Sequence, residues 1–139
     1  ITHEVAVDAV QVDNSDSFGA EEYIRDVFLD EDQTPDILVC LSGVYTQCAY
    51  QAAVDYNKVG VVQIFGYFDS PQILDALAKN ILTVTIAPDT AEMGRLSVQA
   101  LDEYRQTGYT NGYTAVDVQL ITAAEAGERL ARIEQEQGL

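Results

Sequence analysis

Apolar and polar positions along the 139-residue chain switch repeatedly between two periods. Residues 4–12, "EVAVDAVQV", alternate with period two, as a half-buried strand does. Residues 17–31, "SFGAEEYIRDVFLDE", instead place Tyr23, Ile24, Val27 and Phe28 on one helical stripe. Pro35 breaks the chain and pushes Thr34 toward extended geometry. "DILVCL" (36–41) follows, a continuous apolar run of the kind found in strands covered on both faces. "VYTQCAYQAAVDYNKVG" is helical and stops at or just before Gly60, and "VVQIFG" (61–66) is a third strand. Ser70 then offers an N-cap, with Pro71 at the first helical position, where its missing N–H costs nothing.

"ILTVTIA" (81–87), rich in β-branched residues, is a fourth strand. Asp89-Thr90-Ala91-Glu92 has capping-box form and opens a long helix to about Gln106. "YTNGYTAVDVQLI" carries a turn and a fifth strand, and Thr122-Ala123-Ala124-Glu125 opens a last helix. Strands alternating with helices imply βα units, hence one α/β domain over 1–139 with a mainly parallel sheet flanked by helices. The acidic turn "DEDQTPD" is no linker, and no repeat or low-complexity segment occurs.

Charge narrows the partners. Seven Lys and Arg stand against 23 Asp and Glu, a formal net charge of −16, so nucleic acid and anionic membrane surfaces are both disfavoured. The chain starts at Ile1 without a leader pattern, which implies a processed chain or a piece of a longer one. Cys40 and Cys48 lack metal or redox spacing and read as buried thiols; a bond between them needs the strand end and helix to approach closely.

Catalytic chemistry finds little support. His3 is the single histidine and lies at the terminus, so a serine or cysteine nucleophile lacks its base, and no enzyme activity is expected. Zinc spacing is absent. "DNSDSFG" (13–19) has Phe18 where a calcium loop needs glycine, leaving a solvated turn and helix cap. Neither GxGxxG nor GxxxxGK[ST] occurs. Asp13 and Asp69 meet a phospho-receiver pattern only in part, for the lysine after strand five is missing. Asn14, Ser15 and Ser17 suit a flavodoxin phosphate loop, but Asp13 and Asp16 would repel the phosphate. No cofactor is expected.

"GYFDSPQIL" (66–74) sets Tyr67, Phe68 and Asp69 at the carboxyl end of a strand, where open α/β sheets bind ligands. With "TPDILVCLSGVYTQCAYQAA", "LAKNILTVTIAPDTAEMGRLSVQAL" and "AVDVQLITAAE", it forms an ordered series over about residues 18–122. That series resembles the carboxy-terminal half of type I periplasmic binding proteins, the ribose-binding-protein-like family whose relatives include LacI-type effector domains. Gly66, Asp69, Ser70 and Pro71 match the family's "VVGFDDSP" element, and Met93-Gly94 match a later one.

The resemblance implies a flavodoxin-like lobe of a two-lobed, non-catalytic solute-binding protein outside the cytoplasm, closing on a sugar-like solute. An ABC permease or membrane sensor would read that closure. It also implies hinge crossings at Pro88 and near 116–121, with residues from about 89 to 121 serving the other lobe. A lone chain must then fold the Asp89–Gln106 helix back onto its own sheet, giving a compact domain, or exchange it in a swapped homodimer. Family sugar binders carry Asn-Asp, Asp and Gln where this chain has Ser42-Gly43, Phe68 and Pro88, which argues against a ribose-like ligand held in the usual way. The binding candidates that remain are Ser42, Tyr45, Tyr67, Phe68, Asp69 and Asp89. "LTVTIAPD" fits a transport receptor better than a repressor. The alternatives are a LacI-type effector domain, a flavodoxin-like cofactor carrier, and an interaction domain that has lost its ligand.

Overall fold

A computed structural model describes residues 5–11, 17–30, 32 and 34–137. Its elements are α1 (Ser17–Leu29), β1 (Ile37–Val39), α2 (Gly43–Asp55), β2 (Gln63–Tyr67), α3 (Pro71–Ala78), β3 (Val84–Pro88), α4 (Thr90–Thr107), β4 (Val118–Ile121) and α5 (Ala123–Gln137). The architecture is α/β. Four strands lie in the order β1-β2-β3-β4, the first three parallel and β4 antiparallel to β3.

Register decides which side chains share a face. Gly66 pairs with Thr85 and Thr85 with Ile121, so these three point the same way as Ile64 and Ala87, and all are buried. Against β2 lies α2, whose Ala49, Ala52 and Ala53 keep the helix surface low enough for close approach. Packing of α3 against α2 and α5 brings in Ile73, Leu74, Leu77 and Ala126, while α1 covers α2 with Ile24 and Phe28. The opposite face is open. Val39 pairs with Phe65 and Phe65 with Val84, and Tyr67 pairs with Ile86 and Ile86 with Leu120. Along these rows Val39 is 58%, Ile86 38% and Leu120 61% exposed.

Three expectations need correction. Val5–Gln11, inside the expected first strand, is not a strand: Val5 and Val7 are exposed and no neighbour supplies ladder partners, so a period-two pattern alone does not make one. Strands β2 and β3 begin two or three residues late, because Val61 and Val62 N–H bond Lys58 O in the turn after α2 and Ile81 N–H bonds Ala76 O in the turn after α3. The compact arrangement is also absent, since no residue of α4 is buried. A helix lies along a sheet when it carries the chain back to start a parallel strand. Here β4 is antiparallel and Asp89 N–H bonds Asp117 O, so α4 and residues 108–117 leave and return at one end of β3.

Candidate functional site

The parallel strands β1, β2 and β3 release the chain at one edge of the sheet, which puts residues 40–46, 67–70 and 88–90 side by side. At the first strand end Ser42 caps α2, its Oγ accepting from Tyr45 N–H at 3.2 Å. Tyr45 is half-buried and packs on the core rim. At the third end Asp89 caps α4, accepting from Glu92 N–H at 2.9 Å, directly after Pro88 closes β3.

The middle strand end is the most elaborate. Ser70 caps α3 by accepting from Ile73 N–H, and Gln47 of α2 donates to the same hydroxyl. Asp69 Oδ2 lies 3.3 Å from the guanidinium of Arg129, which reaches over from α5 and also donates to Gln119 of β4. Just before them Phe68 stands at φ +83° and is 37% exposed. Its backbone is fastened on both sides: the N–H donates to Ile86 O at 2.8 Å, and the C=O accepts from the Thr85 hydroxyl at 2.7 Å. The Thr46 hydroxyl donates to Ser42 O and accepts from Tyr67 N–H, each at 2.8 Å.

All six candidate residues therefore gather at one edge, with Ser42, Asp69 and Asp89 already engaged in caps or an ion pair. Sequence reading missed Arg129, Thr46 and Thr85. Arg129 lies 60 residues from Asp69, and no local pattern announces such a contact. The threonines left a faint signal, as Thr46 follows Ser42 by one helical turn and Thr85 interrupts an apolar strand.

Other chemistry sits elsewhere. Cys40 and Cys48 are free and buried, and desolvation first, then the neighbouring Cys48, pushes the Cys40 thiol up to about 12. Burial, then Glu21, raises Cys48 as well. A cavity of about 400 Å³ between α1 and α2, lined by Glu21, Glu22, Arg25, Cys48, Asp55 and Tyr56, includes no strand-end residue. His3 and residues 13–16 of the expected turn lie outside the described residues. Among the described residues no acid, cysteine and histidine cluster fits a metal, and no helix is long and apolar enough to cross a membrane.

The myo-inositol-binding protein of Caulobacter superposes with a TM-score of 0.72 at 18% identity, over 86% of this chain and 42% of that one. A periplasmic solute-binding protein of Actinobacillus succinogenes with bound D-allose gives 0.72 at 11%, over 83% and 40%. A XylFII–LytSN complex gives 0.68 at 22%, over 81% and 39%. The chain has the fold of a type I periplasmic binding protein lobe. It spans about two fifths of the length of each of these proteins. No protein-family model and no curated protein sequence matches it.

Proposed function

We propose that the strand-end edge is one wall of a solute site, and that the chain is a lobe region of an extracytoplasmic binding protein for sugar-like solutes. The observation that carries this reading is the convergence of Tyr45, Tyr67, Phe68 and Asp69 at the carboxyl ends of parallel strands, in a fold shared with sugar-binding proteins. The open sheet face and the unburied α4 support a two-lobed parent, in which further polypeptide covers both and residues 89–121 serve the second lobe. Binding then works by closure, with the hinge at Pro88 and near 118 shifting an open–closed equilibrium and no covalent step. The solved XylFII–LytSN complex favours a membrane sensor as one reader of that closure, and the ABC transporter solute-binding proteins of the same fold favour a permease as another.

A thermal-shift series against sugars, polyols, nucleosides and flavins tests this. A solute at about 100 times its dissociation constant adds roughly 2.7 kcal/mol, enough to raise Tm by several degrees in a chain of this size. Response to neutral sugars or polyols is expected. A response to flavin alone would overturn the reading in favour of a cofactor carrier, and silence across the panel in favour of an interaction domain.

A further inference from the structure

Among the described residues, three non-glycines have positive φ: Asn57, Asn80 and Phe68. Asparagine tolerates this region because its short amide bonds locally, whereas a bulky aromatic is an outlier there. The turn after β2 therefore holds a residue against its own backbone preference, where glycine would sit without strain. Burial offsets that only in part, since Phe68 is 37% exposed. The surroundings are built for it nonetheless. Thr46 and Thr85 are the two polar residues among the buried described side chains, and both direct their hydroxyls at the backbone of Tyr67 and Phe68. Gly43 leaves room beside the ring: a β-carbon there would meet Phe68 Cβ at 3.4 Å and ring carbons at 3.8 Å.

We propose that Phe68 is the specificity element of the site, an aromatic platform held at the strand end by the positioning residues Thr46 and Thr85 for an uncharged solute with an apolar face. This rests on the solute-site reading above. The charged groups at the edge fit an uncharged ligand. Asp69 is neutralised by Arg129, Asp89 is committed to its cap, and the net charge of −16 repels anions. Strain retained at a half-exposed aromatic points to function rather than stability, and an aromatic face packs on the C–H face of a ring solute while its rim groups stay hydrated.

The experiment uses the 139-residue chain, F68G, F68A, F68Y, T85V and T85S, with phenyl β-D-glucopyranoside and myo-inositol as probes followed by amide NMR shifts. Stability comes first. F68G is expected to melt higher than F68A by about 3 °C, the reverse of the usual order of these residues. In wild type and F68Y, phenyl glucoside shifts amides of 43–46 and 67–69. Its affinity falls at least tenfold in F68G and F68A, while T85V weakens it and T85S restores it. F68A melting at or above F68G overturns the strained-platform assignment. Probe shifts at these amides that ignore the Phe68 substitutions overturn the specificity role and leave the solute site standing. No shift with either probe up to saturation overturns both.

Discussion

A β-carbon placed on Gly66 would lie 2.6 Å from Cγ2 of Thr46, closer than real side chains approach, and 3.2 Å from Thr85 Oγ1. Glycine is needed at this point of β2 because α2 crosses it at the helix turn carrying Thr46. Neither obstacle can swing away, since both hydroxyls are bonded to the backbone just beyond. G66A is expected to cost about 1–3 kcal/mol by overpacking, read from denaturant unfolding. An unchanged midpoint would show that α2 rides up freely over β2.

Thr46 itself supplies a second prediction. Its hydroxyl both donates to Ser42 O and accepts from Tyr67 N–H, so T46V keeps the shape but strands a part-buried backbone N–H. The expected loss is about 1–3 kcal/mol, with T46S recovering most of it. Hydrogen exchange at the Tyr67 amide distinguishes this from a packing defect, because only the lost bond accelerates that amide selectively.

Arg129 ties α5 to the turn after β2 and to β4 through Asp69 and Gln119. Both charged partners are less than one-third exposed, so screening trims the contribution without removing it. R129A should cost about 1 kcal/mol. R129K should behave nearly like R129A, because one ammonium cannot reproduce the fork that serves two acceptors. Full recovery by lysine in a melting curve would reduce the contact to a simple charge effect.

The sequence was readable where the chemistry is local. Ser70-Pro71, the Asp89 box and the Thr122–Glu125 box mark helix starts because capping chemistry is local, and all appear in the structure. The strand cores of β2 and β3 were legible for the same reason. Strand direction was not: apolar alternation is blind to it, so the antiparallel run of β4, and with it the outward course of α4, could not be told from the pattern. The period-two pattern of Val5–Gln11 was real, but a strand also needs a neighbour. In the site, the strand-end aromatics were legible from position, whereas Arg129 and the threonines depend on contacts made only after folding.

The Cys40 thiol gives a pH dependence. Its folded value, about 12, lies above the ordinary value near 9, so the folded state resists ionisation that the unfolded state accepts. Stability is whole below pH 9 and falls as pH rises from about 9 toward 12, because the unfolded chain then binds fewer protons. C40A should flatten part of this alkaline limb in unfolding titrations at pH 8–11. At pH 8, Cys40 should react with a thiol reagent only at the rate of unfolding. Rapid labelling of the native chain would contradict its burial.

The last prediction concerns α4. Met93, Leu96, Ala100, Leu101 and Tyr104 fall on one side of this helix at spacings of three and four, yet none is buried, and Leu101 is 71% exposed. The uncovered sheet face offers Val39, Ile86 and Leu120 in the same chain. Two apolar surfaces that cannot meet within one copy can meet between two, the exchange expected of a lone lobe. Opposing it is the repulsion of two bodies each carrying −16 charges. The sign of the salt effect therefore identifies the contact. Added salt screens the repulsion over about 8–10 Å at 0.10–0.15 M and leaves the apolar attraction intact, so the 139-residue chain should associate more strongly as salt rises. Sedimentation velocity across protein and salt concentration measures this. L101K should abolish the association while leaving the unfolding of the dilute chain within about 0.5 kcal/mol, because Leu101 makes no buried contact in the monomer. A chain that stays monomeric at every salt concentration would show that α4 needs a different partner.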